Sequence, residues 1–203
     1  MTVALPKGRI ANEVLAIFKK IFNEDFEFES RKLILKKAGF TFLNVRNWDV
    51  ATYVEKQAAD IGVVGFDVIT ELRSDVLELL DLGLGKCRIS VGGIKGDESY
   101  KKKSEIVVAS KLKNIAKEYF SKKGIPAQII KLNGSIELAP LVGLSDVIVD
   151  IVETGSTLKE NGLEEKEVIM HSSARLIANK NSFLTKKPQI LELVERIREA
   201  NGA

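Results

Sequence analysis

Two residue types that carry much of the covalent and metal chemistry of proteins are almost missing from this chain. Its 203 residues include one cysteine, Cys87, and one histidine, His171. A lone cysteine excludes an intramolecular disulfide, and one of each cannot build a Cys/His zinc cluster, so no protein metal site is expected. Cys87 precedes an apolar alternation, the setting of a structural thiol, and His171 reads as a strand residue. No apolar run approaches the roughly 20 residues that span a bilayer, and the start, Met1-Thr2-Val3-Ala4-Leu5-Pro6, lacks the long apolar core of a secretory signal. No G-x-x-x-x-G-K-[ST] loop occurs, because Gly85-Lys86 is followed by Cys87. A net charge of +3 is too small to imply nucleic-acid binding. Lys101-Lys102-Lys103 is read as a solvated loop, with no aromatic interleaving of the kind that single-strand binders use. With 45% hydrophobic and 29% charged residues, the chain is an ordinary globular protein of one or two domains, expected in the cytoplasm and free of membrane or nucleic acid.

Strand-like and helix-like patterns alternate throughout, which predicts an α/β class with a largely parallel sheet. A first strand near Thr2–Leu5 leads to a helix with Ile10, Val14, Ile17, Phe18 and Ile21 on one face. Strands over 40–45, 61–65 and 87–94 and a helix over 48–58 follow. Lys95-Gly96-Asp97-Glu98-Ser99 is the most loop-like stretch and marks a domain boundary. Beyond it come strands at 106–109, 127–132 and 147–151, helices at 114–122 and 136–142, and a long extended segment at 168–179. A last amphipathic helix spans 188–200. This predicts a first lobe of residues 1–94 completed by 175–203, and a second lobe of residues 95–174. Two α/β lobes crossed twice by the chain describe a periplasmic-binding-protein-like fold, with a ligand cleft between the lobes. A single doubly wound domain gives a similar pattern.

The most informative stretch is Asp150-Ile151-Val152-Glu153-Thr154-Gly155-Ser156-Thr157-Leu158. It joins a buried strand to a short helix closed by Gly162. Amides and hydroxyls of Thr154, Gly155, Ser156 and Thr157 can cradle one phosphate at a helix N-terminus. Asp150 and Glu153 are then placed to accept hydrogen bonds from a phosphorylated sugar, and a sugar 5-phosphate is the natural ligand. The same residues also suit an ordinary turn with Thr157 as an N-cap.

Four further segments suit a polyanion. Lys7-Gly8-Arg9 follows the first strand, Arg31 lies in Ser30-Arg31-Lys32, and Arg46 ends the 40–45 strand. Gly65, with Phe66 and Asp67, forms a strand-to-helix turn that admits a phosphate or an adenine close to the backbone. Taken singly each has a plain explanation, such as a weak surface ion pair; their convergence at strand ends is the argument.

Leu5-Pro6-Lys7-Gly8-Arg9, Ser30-Arg31-Lys32, Val45-Arg46, Ala59-Asp60-Ile61-Gly62-Val63-Val64-Gly65, the run from Gly134 through Glu137-Leu138-Ala139-Pro140 to Asp146, and the 150–158 loop together resemble ATP phosphoribosyltransferase, in order, from near residue 3 to near residue 180. The resemblance implies attack of adenine N1 of ATP on C1 of phosphoribosyl pyrophosphate (PRPP), releasing pyrophosphate, with Mg2+ carried by the substrate. It implies that Thr154, Gly155, Ser156 and Thr157 hold the 5-phosphate and that Asp150 and Glu153 meet the ribose. Arg31 and Arg46 would serve the phosphates as catalytic residues, while Lys7, Gly8, Arg9, Gly65 and Asp67 would line the ATP site. Phe66 stands where many relatives carry a polar or basic residue, and Glu137 either caps a helix or touches ligand.

The chain resembles the short form of that family. This implies a homodimeric catalytic subunit that joins a separate histidyl-tRNA-synthetase-like regulatory subunit in a hetero-oligomer. The alternatives are a non-catalytic solute- or effector-binding domain of the same fold, or a phosphoribosyltransferase for a free nucleobase. The basic cluster argues against the first, and Glu137-Leu138-Ala139-Pro140 against the second.

Overall fold

The computed structural model describes residues 1–202. It divides into two compact units, one formed by Met1–Gly85 with the segment from Ser173 onward, the other by Lys86–Ser172. The chain therefore passes from the first unit to the second and back. Both units are α/β, as expected.

In the first unit, β1 (Thr2–Pro6), α1 (Arg9–Phe22), β2 (Ile34–Lys37), β3 (Phe40–Val45), α2 (Asn47–Glu55), β4 (Ile61–Gly65), α3 (Phe66–Leu72) and β5 (Leu77–Asp81) come first. The second unit holds β6 (Cys87–Ile94), β7 (Ile106–Ser110), α4 (Lys113–Lys122), β8 (Ala127–Lys131), α5 (Leu138–Leu141), β9 (Val147–Val152), α6 (Ser156–Glu160) and β10 (Leu163–Ser172). The return adds β11 (Ala174–Ala178), α7 (Lys180–Thr185) and α8 (Lys187–Asn201) to the first unit.

The first sheet has the order β2-β3-β1-β4-β11-β5. β1 runs parallel to both β3 and β4, while β2 and β11 are antiparallel to their neighbours. One face is covered by α1 and α8. Along α1, Ala11, Val14, Leu15, Ile17 and Phe18 fall on one stripe and are buried, and Ile190, Leu193, Val194 and Ile197 of α8 join them over Leu5, Phe42 and Leu176. Phe18 sits at the centre of an aromatic cluster, with ring centroids 5.0 Å from Phe42 and 5.2 Å from Phe40, both edge-on. Phe26 reaches the same cluster, which ties down the acidic stretch 24–29 by its apolar residues. The opposite face is covered by α2 and α3, through Val50, Val54 and Val68. Helices thus alternate faces as the chain leaves β1 in one direction and later crosses it to β4, which opens a crevice at the C-terminal edge of these strands.

The second sheet has the order β10-β6-β9-β7-β8, with β7, β8 and β9 parallel and β6 antiparallel to both its neighbours, β9 and β10. Both sheets are therefore mixed rather than largely parallel. Residues 87–94, expected in the first lobe, belong to the second unit, because β6 is bonded on both sides by β9 and β10 and cannot be separated from them. The extended segment at 168–179 is two strands of different sheets, β10 and β11, divided at Ser173. The helix expected at 136–142 shrinks to the single turn of α5 around Pro140, which has no amide to propagate it.

Candidate functional site

The 150–158 segment forms one side of a 360 Å³ cavity whose lining is Glu137, Asp150 and the continuous run Ile151–Leu158. All of it lies in the second unit, at the C-terminal end of β9 beside the loop that follows β8. β9 is anchored by Val147, Ile148 and Val149, each fully buried, and Leu158 is buried behind the turn. Apolar residues thus hold both ends of a polar loop.

Gly155 makes the turn. Its φ of 81° and ψ of 5° are left-handed, and it is the residue from which α6 starts. The alternative in which Thr157 caps the helix is therefore not realised: α6 begins at Ser156, with no side-chain cap. Thr154 Oγ1 and Ser156 Oγ lie 2.9 Å apart, and the Ser156 amide donates to Thr154 Oγ1 at 3.3 Å. The two hydroxyls so held, with Thr157 one residue on, present an exposed polar rim to the cavity. First-turn amides of a helix have no partner four residues back, so they too are available to an acceptor. α6 spans only five residues, so its dipole is small and the turn itself must do most of the work.

Asp150 faces the cavity in a setting that disfavours its charge. Burial pushes its carboxyl up to about 6, against a donated hydrogen bond from its neighbour Ile151 (2.8 Å); Glu137 raises it further and Lys111 lowers it. Glu137 makes no capping hydrogen bond to α5, and it shares the cavity with Asp150. Lys111, at the end of β7, is a basic neighbour that sequence reasoning missed; its signal was the parallel pairing of β7 with β9, which a single sequence does not print.

The remaining predicted residues lie in the first unit. The Lys7 amide donates to the Val45 carbonyl at 2.8 Å, joining the end of β1 to the end of β3, so Lys7, Gly8 and Arg46 share one sheet edge. Gly8 opens α1 at φ 105° and ψ −148°. Arg9 is 3.7 Å from Glu13 one turn on; Arg9 is exposed and Glu13 half-buried. Arg46 is the residue before α2, in extended conformation and exposed. The Asn44 amide donates to the Leu33 carbonyl at 2.8 Å, which brings the turn that carries Arg31 to the same edge. Gly65 ends β4, and a side chain there would collide with the Asp67 carboxylate, which folds back over it. Asp67 is buried rather than open to solvent.

Phe66 carries the Arg175 guanidinium 5.0 Å from its ring centroid, and Arg175 also pairs with Asp81 at 2.6 Å. Arg175 was missed because it enters from β11, more than a hundred residues later in the chain. Among the described residues, no group of three or more His, Cys, Asp or Glu side chains is placed to hold a metal, and no helix is long and apolar enough to cross a membrane.

Comparison with known proteins identifies the family. The model of the HisG family, described as ATP phosphoribosyltransferase, matches residues 46–199. The chain is 60% identical over 198 residues to an ATP phosphoribosyltransferase of Sulfurovum sp. (strain NBC37-1), covering 98% of this chain and 96% of that one. It is also 60% identical over 200 residues to that of Campylobacter curvus (strain 525.92), covering 98% and 97%. Among solved structures, the ATP phosphoribosyl transferase (HisG:HisZ) complex from Thermotoga maritima contains a chain with a TM-score of 0.86 and 35% identity, covering 100% of this chain and 98% of that one. The periplasmic aliphatic sulphonate binding protein SsuA from Escherichia coli shares the fold at a TM-score of 0.64 and 11% identity, covering 99% and 72%. A periplasmic-binding-protein-like α/β fold, a family model over most of the chain and near-complete coverage of its relatives agree: the chain belongs to the ATP phosphoribosyltransferase family, enzymes of the first step of histidine biosynthesis.

Proposed function

We propose that residues 150–157 hold PRPP for the ATP phosphoribosyltransferase reaction. The observation that carries this reading is the cavity in which Asp150 and the whole Glu153–Thr157 turn converge. Thr154, Gly155, Ser156 and Thr157 surround the 5-phosphate with hydroxyls and amides. Asp150 and Glu153 accept hydrogen bonds from the ribose hydroxyls, which fixes C1 toward the incoming nucleotide.

The nucleophile, adenine N1, belongs to ATP, so no activated Ser, Cys or His is needed. Lys7, Gly8 and Arg9 bind ATP at the strand edge of the first unit, where the buried Asp67 folds back over Gly65 and shapes the turn after β4, and the second unit supplies the PRPP loop. Arg31 and Arg46 stabilise the charge that grows on the departing pyrophosphate. An Mg2+ carried by PRPP would supply further charge neutralisation, and the cavity carboxylates Asp150 and Glu137 would suit a cation that keeps mostly substrate and water oxygens.

The match to a chain of the Thermotoga HisG:HisZ complex, over 98% of that chain, supports a short-form reading. On it, this chain is a homodimeric cytoplasmic catalytic subunit that joins a histidyl-tRNA-synthetase-like regulatory subunit. The test is to mix the chain with ATP, PRPP and Mg2+, follow phosphoribosyl-ATP by its absorbance, and repeat with Ser156→Ala and Thr157→Ala. Formation of product by the wild type with an unchanged KM for PRPP in both variants would overturn the assignment of the loop.

A further inference from the structure

Behind the 153–155 turn lies a charged assembly that does not line the cavity. Arg88, on β6 opposite Val152 of β9, donates from Nε to Glu165 Oε1 at 2.7 Å and from Nη2 to Glu165 Oε2 at 2.6 Å. Ser90, almost fully buried, donates to the same Glu165 Oε1 at 2.7 Å. The remaining arm, Arg88 Nη1, donates to the Glu153 carbonyl at 3.1 Å. Arg88 Nη2 also lies 4.0 Å from the point where a Cβ on Gly155 would stand.

The geometry points to Arg88 as a positioning residue for PRPP, held by Glu165 and Ser90 and acting through the backbone of the phosphate turn; this rests on the reading of residues 153–157 as that turn. A two-pronged pair with Glu165 fixes the plane of the guanidinium, and the third donor then has one direction in which to point. It points at the Glu153 carbonyl. In a planar trans peptide the carbonyl and the following amide are opposed, so fixing the Glu153 oxygen toward Arg88 aims the Thr154 N–H away from it. The turn is thus held from behind in one orientation, and the phosphate meets donors already aligned. Lysine cannot replace this group, because one ammonium does not span a carboxylate fork and a carbonyl together.

The experiment compares Arg88→Gln, Arg88→Lys and Glu165→Gln with Ser156→Ala and Thr157→Ala in the full chain. It measures Kd for PRPP and for ATP by calorimetry, KM for each substrate, and Tm. Both Arg88 variants are expected to weaken PRPP binding roughly tenfold, with ATP binding held within about twofold. Glu165→Gln should shift PRPP affinity in the same direction by less. Should Arg88→Gln fail to fold, Arg88→Lys decides, since it keeps the charge beside Glu165. Folded Arg88 variants with wild-type PRPP affinity, alongside Ser156 or Thr157 variants that lose it, would overturn the positioning role and leave the loop assignment standing. An equal loss for ATP and PRPP would also overturn it. Wild-type PRPP affinity in the Ser156 and Thr157 variants as well would mean that the phosphate loop itself is misassigned.

Discussion

Replacing Gly155 with valine tests the phosphate turn through its backbone alone. A Cβ at this position would sit 3.8 Å from Val152 Cγ1 and 4.0 Å from Arg88 Nη2, which is ordinary van der Waals contact. The penalty therefore lies in the φ of 81°. A non-glycine residue in the left-handed region costs about 1–2 kcal/mol, and branching at Cβ puts valine at the upper end. The variant has two ways to respond. It can keep the turn and lose that stability, or relax to negative φ and rotate the amides flanking residue 155 out of line. In the second case PRPP must restore the turn on binding, so its affinity falls by about the strain, a factor of roughly 5–30. Gly162→Val is the matched control: its φ of 71° imposes the same backbone cost, with nothing within 4 Å and no part in the cavity lining. Calorimetric titration of PRPP and ATP into both variants, with Tm measured in parallel, separates the cases. Gly155→Val should lose PRPP affinity and largely keep ATP affinity, whereas Gly162→Val should keep both. A folded Gly155→Val protein that binds PRPP like wild type would refute the reasoning.

Arg31→Ala and Arg46→Ala should each slow single-turnover product formation roughly a hundredfold, the equivalent of about 2–4 kcal/mol of transition-state stabilisation, with lysine a poor substitute; rates equal to wild type would make both residues structural. Asp150 has a folded pKa of about 6, above its unfolded value, so it contributes stability at acid pH that is lost as pH rises through the window from about 4 to 6. Denaturation curves across that window should show the loss in wild type, on the order of 2 kcal/mol, and not in Asp150→Asn. Truncating Phe18, which is 1% exposed at the centre of the aromatic cluster, to alanine should cost about 3–5 kcal/mol by denaturant titration. Histidine should leave the activity of the isolated chain unchanged and inhibit it once the regulatory partner is added, because inhibition needs an effector site coupled to the catalytic one; strong inhibition of the chain alone would place a histidine site within it.

Much of the architecture was legible because its core strands are apolar runs or apolar alternations bounded by glycine or charge. The intervals 40–45, 61–65 and 87–94 emerge in the structure at those limits, and the stripe of α1 follows directly from its 3.6-residue spacing. The elements that escaped notice are the edge strands β2 and β5 and the short helix α7. β2 alternates between exposed and half-buried residues and ends in Lys36-Lys37, and so carries little hydrophobic signal. The boundary near residue 94 was misplaced because Lys95-Gly96-Asp97 has the composition of a linker. It is instead a turn inside the second unit, at the start of the connection from β6 to β7, with the Lys95 amide donating to the Gly162 carbonyl just before β10. The same limit applies to the site. The 150–158 loop is contiguous and could be read directly, whereas Lys111, Arg88 and Glu165 reach it only through strand pairing.

Two carboxylates, one just before β4 and one within β9, show what the sequence cannot distinguish and the structure can. Asp60 and Asp150 are each followed by isoleucine, and both are partly removed from water. Burial pushes the Asp60 carboxyl up, but Lys186, the Thr2 amide and Ser182 together outweigh it and hold it below the usual range. Those bonds tie α7 and the start of α8 to the beginning of β1 and β4, so Asp60 is a structural group whose needs are met within the fold. Asp150 receives a hydrogen bond from the next amide and has Glu137 beside it. The fold thus tolerates a carboxylate that would be more stable protonated or replaced, at a position that opens into a cavity. Such a deficit is expected where a ligand completes the hydrogen bonding. Ribose hydroxyls of PRPP can donate to Asp150 as Ser182 and Thr2 donate to Asp60, and they would draw its pKa down as they bind. PRPP affinity in wild type should then rise with pH through about 6 by more than it does in Asp150→Asn, the variant serving to subtract the ionisation of the phosphates. Parallel pH profiles for the two proteins would remove Asp150 from the binding site, and with it the account of why this carboxylate is left short of partners.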